Sequence, residues 1–110
     1  MAQFLIRGAL ALLVLGATFG GARAQQRDPA AQRGFIFVKT NCARCHAIDK
    51  VSPSPLKVAP PFRTLHRRYP VDSLAEALGE GIVTGHPTMP EFQLDPGQVA
   101  DVITYLKTLQ

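Results

Sequence analysis

The stretch TNCARCHAI, residues 40–48, contains both cysteines of a 110-residue chain. Cys42 and Cys45 stand three positions apart, and His46 follows the second directly. Two thiols at this spacing beside an imidazole serve one of three chemistries: a disulfide, a metal site or covalent attachment of a cofactor. What surrounds the stretch has to choose between them.

The chain has room for one small domain, and its first residues read as something apart from it. Arg7 is a short positive region, Gly8 to Gly21 is almost wholly apolar or small, and Ala22-Arg23-Ala24 fits the small-x-small cleavage rule. A retained membrane anchor is the competing reading, but the strongly apolar part is short for a span of about 20 residues. The expectation is a secretory signal peptide over residues 1–24 and one domain over residues 25–110. Export implies an oxidising compartment such as the bacterial periplasm. The formal net charge is +4. Losing Arg7 and Arg23 takes two from it and leaves +2, too mild to argue for nucleic acid but enough to bias docking towards an acidic protein face.

Helical signals sit at both ends of the domain. Asp28-Pro29 places an N-cap before a proline at the first helical position. The helix it opens carries Ala31, Phe35, Val38 and Cys42 on one stripe. Gly34 lies inside it, where glycine costs about 1 kcal/mol against alanine, so close packing there is the functional reading. Residues 51–61, VSPSPLKVAPP, are a proline-stiffened loop. A short helix follows Tyr69-Pro70, with Asp72 or Ser73 as cap and capping-box spacing from Ser73 to Glu76. Leu74, Leu78 and Ile82 fall on one side of it, and Gly79 and Gly81 are candidates to end it. Residues 85–92, GHPTMPEF, are again a loop. Asp95, Pro96 and Gln98 open the clearest helix, with Leu94 and Val99 as its hydrophobic staple. Its apolar face is Val99, Val102, Ile103, Leu106 and Leu109. No segment alternates long enough for a sheet, and the expected class is all-α.

That frame weighs against two of the three chemistries. A redox Cys-x-x-Cys opens a helix beside βαβ units, whereas these cysteines follow a helix. Zinc would need two of His46, His66 and His86 besides both cysteines, at spacings unlike those of finger-type sites. Cys-x-x-Cys-His is the attachment signature for c-type haem: two thiols three apart reach two vinyl groups of one porphyrin, and the next residue presents an imidazole to the iron. Haem iron in electron carriers commonly takes a methionine as its second strong ligand. Once the leader is gone, Met89 is the one methionine left, 43 positions beyond His46 and next to Pro90. His86, three residues away, is the competitor. An iron-bound imidazole donates its other N–H to a carbonyl, and the Ala59-Pro60-Pro61 loop is a candidate source. Arg63, His66, Arg67 and Arg68 form the densest basic patch, read either as a solvated face or as a partner for a haem propionate or an acidic protein.

With these residues in place, the domain resembles class I c-type cytochromes, particularly the small mono-haem periplasmic proteins of bacteria. Gly34 stands eight positions before Cys42, as the family's first-helix glycine does, where it lets the first helix cross the last against an aromatic that looks like Tyr105. CARCH, 42–46, matches the haem-binding motif. APPF, 59–62, resembles the segment whose proline carbonyl, here Pro60, accepts from the axial histidine. Met89 in PTMPEF matches the axial methionine, and VADVITYLKTL, 99–109, resembles the terminal helix. Val38 stands where an aromatic is common, Ala59 replaces a usual glycine, and the chain has no tryptophan to meet a propionate.

The resemblance implies a cytochrome c fold of three to five short helices, the first and last crossing around one covalent haem c. Cys42 and Cys45 would carry the thioether bonds, His46 and Met89 (or His86) the iron, and Pro60 the histidine. The implied function is transfer of single electrons between redox proteins such as a dehydrogenase, an oxidase or a membrane complex. The protein would be a free carrier or a dehydrogenase's cytochrome subunit, with no catalytic residues of its own. It would meet the membrane only through partners or an uncleaved signal. A haem enzyme or gas sensor with an open sixth coordination position is the alternative.

Overall fold

The computed structural model describes residues 28–81 and 88–110. The leader, Ile82 and His86 lie outside the described residues. Within them the chain is helical with no strand: α1 spans Pro29–Asn41, α2 Leu74–Glu80 and α3 Pro96–Lys107, with two 3₁₀ helices at Phe62–Arg67 and Val71–Ser73.

Local chemistry explains where α1 and α3 begin. The Asp28 carboxylate accepts from Ala30 N–H at 2.8 Å, and Pro29 occupies the first turn, where a missing N–H costs nothing. At α3 the capping box closes in both directions: Gln98 N–H donates to Asp95 Oδ1 at 2.9 Å, and Asp95 N–H donates to Gln98 Oε1 at 3.2 Å. The expected box at Ser73 and Glu76 does not form. Ser73 already has helical angles (φ −66°, ψ −16°) as the end of a 3₁₀ turn, so its hydroxyl makes no capping bond. Gly79 does not end α2 either. Gly81 does, at φ +78°, a left-handed conformation that favours glycine.

The core joins Val38 of α1 to Val102, Ile103 and Leu106 of α3, and adds Val71, Leu94 and Leu109. Each such side chain contributes about 1.5–3 kcal/mol relative to exposure. Val99 packs only partly against them. α1 and α3 make the most extensive helix contact and meet at Gly34, where a Cβ would stand 2.8 Å from Tyr105 Cβ. Beside it Arg33 grips Asp101 with two bonds, Nε at 2.7 Å and an Nη at 2.8 Å. The helix pair therefore forms a rigid frame, and the loops carrying the motif are laid against it. No described helix is long and apolar enough to cross a membrane.

Candidate functional site

The motif begins where α1 stops. The N–H groups of Cys42 and Ala43 both donate to Val38 C=O, at 2.8 and 3.0 Å. A second turn follows, with Cys45 and His46 N–H donating to Cys42 C=O at 3.1 and 2.9 Å. Two consecutive turns thus gather both cysteines and the histidine at one end of α1. The buried His46 ring packs on Phe62, with centroids 4.8 Å apart. Its Nδ1 lies 2.8 Å from the Pro60 carbonyl. A carbonyl only accepts, so Nδ1 carries the proton and in the neutral ring Nε2 keeps its lone pair, the form a metal ligand requires.

The proline-rich loop is stitched to the motif. Leu56 N–H donates to Cys45 C=O (3.1 Å), Ala47 N–H to Ser54 Oγ (3.0 Å) and Phe62 N–H to Ala47 C=O (2.9 Å). Asp49 braces the loop's first bend, accepting from the N–H groups of Ser52 (2.6 Å) and Val51 (2.7 Å). The Ser52 hydroxyl and these two N–H groups hold the Asp49 carboxyl down to about 2.

A cavity of about 460 Å³ opens between the helix frame and these loops, within the roughly 300–1,000 Å³ range of cofactor sites. Phe37, Val38, Phe62, Leu65, Leu78 and Leu106 make its apolar wall, and Cys42, His46, Pro60 and Met89 also line it. A second cavity of about 40 Å³ is lined by Cys42, Cys45, His46 and Met89 together. Four residues singled out from the sequence, spread over 47 positions, thus converge. His86 lies outside the described residues. Val38 is almost fully buried and Phe37 beside it faces the cavity, so the neighbour supplies the aromatic surface that position 38 lacks.

The donor set discriminates among the three chemistries. Burial, with the neighbouring Cys45 adding, pushes the Cys42 thiol up to about 11. A disulfide oxidoreductase needs the opposite shift. Among the described residues no three His, Cys, Asp or Glu side chains gather into a metal-binding group. Two cysteines, one histidine prepared for metal and a large apolar cavity suit a flat, apolar, covalently tethered cofactor, and haem fits them.

One cavity residue was legible only as part of a patch. A 3₁₀ helix has three residues per turn, so residues three apart eclipse. Phe62 and Leu65 accordingly share one face, Arg68 at the C-cap continues it three residues on, and all three line the cavity. Arg68 is the one Arg, Lys, Asp or Glu there among the described residues. Arg63 is turned elsewhere, donating to Ser52 C=O at 2.6 Å; His66, Arg67 and Arg68 are all exposed, and of these three only Arg68 lines the cavity. No sequence signal marked residues 62–67 as a 3₁₀ helix, and without that period Arg68 cannot be told from Arg67.

A family model described as Cytochrome c matches residues 31–110. The cytochrome c-553-like protein of Synechocystis sp. is 34% identical over 79 residues, covering 72% of this chain and 69% of that protein. Cytochrome c-552 of Bradyrhizobium diazoefficiens is 29% identical over 98 residues, covering 89% and 90% respectively. No solved structure gives a significant match.

Proposed function

This chain belongs to the cytochrome c family, and on that premise we propose that it is an exported mono-haem electron carrier of the bacterial periplasm, passing single electrons between protein partners. The observation that carries the reading is the convergence of Cys42, Cys45, His46 and Met89 on one apolar site. Haem c, when bound, supplies reversible one-electron chemistry. The remaining work falls to the chain. Cys42 and Cys45 hold the group through two thioether bonds. His46 would bind the iron through Nε2, and the Pro60 carbonyl raises the basicity of the ring and fixes its rotation. Met89 would supply the second ligand to the iron, which would raise the potential. The aromatic and aliphatic wall excludes water, so little solvent has to reorganise when charge changes.

The pattern of residues 1–24 supports export. The chain serves as a free carrier or as the cytochrome subunit of a dehydrogenase, and co-purification with a larger enzyme would mark the second role. Expression with haem-attachment machinery is expected to yield a c-type absorption spectrum that survives denaturation, because the bonds are covalent. A colourless product, or haem that extracts into acidic solvent, would defeat the reading.

Arg68, the charged residue lining the cavity among the described residues, would pair with a haem carboxylate there. Removing this charge leaves a haem carboxylate uncompensated and favours the ferric state. For a solvent-screened pair the effect is about 0.5–1 kcal/mol, a roughly two- to fivefold shift of the reduction equilibrium. Arg68→Gln is therefore expected to lower the midpoint potential in a redox titration, while Arg67→Gln, on another face of the same helix, leaves it in place. Equal effects from the two would remove Arg68 from this role.

A further inference from the structure

The bonds holding the motif come mostly from near it in sequence: its own turns, the end of α1 and the loop from Ser54 to Phe62. A further one comes from far away. Tyr105, in the last turn of α3, donates its hydroxyl to the Ile48 carbonyl at 2.6 Å across 57 positions. Ile48 lies two residues beyond His46, and between them Ala47 uses both its backbone groups on Ser54 and Phe62. The Tyr105 ring is itself fixed. Its Cβ lies at the Gly34 crossing, and its ring packs on Phe35 with centroids 5.4 Å apart. The hydroxyl therefore stands at a defined point of the helix frame and holds the motif segment there.

We propose that Tyr105 is a positioning residue for the axial histidine. Its hydroxyl anchors Ile48 to the α1–α3 frame and so keeps the His46 ring in register with the Pro60 carbonyl. The inference rests on the functional reading above, in which His46 binds haem iron. The Pro60 bond makes the imidazole more basic, which favours ferric iron. Without the Ile48 anchor, the segment from His46 to Ile48 loses its hydrogen bond to α3 and keeps those to Cys42, Ser54 and Phe62, and the Nδ1–carbonyl bond lengthens. Removing the hydroxyl thus shifts the iron towards the ferrous state from a distance.

The test uses haem-loaded protein. Tyr105→Phe keeps the ring and deletes the bond. It is expected to raise solvent exchange of the His46 Nδ1 proton about tenfold in proton NMR of the ferrous form. It is also expected to shift the reduction equilibrium about threefold towards ferrous, or about 28 mV upward for a one-electron couple. Arg33→Gln, which removes the exposed ion pair to Asp101 while leaving the Gly34 contact and the Tyr105–Ile48 bond intact, serves as control and leaves both readouts in place. A purely structural tyrosine would lower the melting temperature in Tyr105→Phe and move neither readout, and that result overturns the proposal. Should Tyr105→Phe not accumulate, 3-fluorotyrosine introduced at position 105 alone, a stronger donor of nearly the same size, is expected to move the equilibrium the opposite way. No movement there is equally fatal. A missing c-type spectrum in the unsubstituted protein would count against the functional reading, whereas unmoved readouts in haem-loaded variants count against Tyr105 alone.

Discussion

Gly34→Ala is expected to destabilise the protein by about 3 kcal/mol or more and to reduce sharply the yield of haem-loaded chain. Intrinsic propensity argues the other way, since alanine in a helix interior gains about 1 kcal/mol over glycine. Space decides it. A Cβ on Gly34 would stand 2.6 Å from the Asp101 carbonyl carbon and 2.8 Å from Tyr105 Cβ, and would press on the Asp101 carbonyl oxygen. Two of these are backbone atoms of α3 and cannot swing aside, so α1 and α3 have to part. Parting them strips Val38 from Val102 and Leu106 in the core. It also pulls Arg33 off Asp101 and draws Tyr105 away from Ile48. Gly79→Ala provides the contrast. A Cβ there meets nothing closer than Val99 Cγ2 at 3.9 Å, so the same substitution in α2 is expected to stabilise by up to about 1 kcal/mol. Urea unfolding of the two variants measures both signs. A Gly34→Ala midpoint at or above that of Gly79→Ala would refute the account of the crossing.

The second large effect concerns the far side of the iron. Met89→Ala is expected to abolish the weak red-region band of the ferric spectrum, which reports sulfur–iron ligation, and to let the ferrous protein bind carbon monoxide rapidly at neutral pH. His86→Ala is expected to do neither. Met89 lines both cavities that His46 lines, and Pro90 after it disfavours helical geometry at Met89. Persistence of the band in Met89→Ala would remove that residue from the iron. An unsubstituted protein that lacks the band and changes its spectrum in His86→Ala would hand the position to His86. Rapid carbon monoxide binding by the unsubstituted protein would point instead to the haem enzyme or gas sensor.

The failures of sequence reading have specific causes. Ser73 to Glu76 has the spacing of a capping box, yet the preceding proline starts a 3₁₀ turn that gives Ser73 helical angles. Spacing records which residues are present and not the dihedral angles they reach. The 3₁₀ helix at Phe62–Arg67 was missed because six residues are too few for a period to show. Its register alone separates Arg68 from its neighbours. Tyr105 was recognised as a packing aromatic, but its hydroxyl bond to a carbonyl 57 positions away leaves no local trace.

Where one residue's own chemistry limits what it can do, the sequence was sufficient. Asp28-Pro29 and Asp95-Pro96-Gln98 start helices because their side chains satisfy the first N–H groups. CARCH announces a covalent haem because few other uses need two thiols and an imidazole at that spacing. Met89 stood out because its alternatives were so few. The resemblance, not local chemistry, implied the Gly34 crossing and the Pro60 carbonyl, and the tertiary structure alone decided the rest: how closely Gly34 meets the α3 backbone, that Arg68 and not Arg67 lines the cavity, and that Tyr105 reaches the motif. Each of these is a contact between segments far apart in sequence or a choice among chemically similar neighbours. Short-range preference cannot rank such options, and packing around the shared core does.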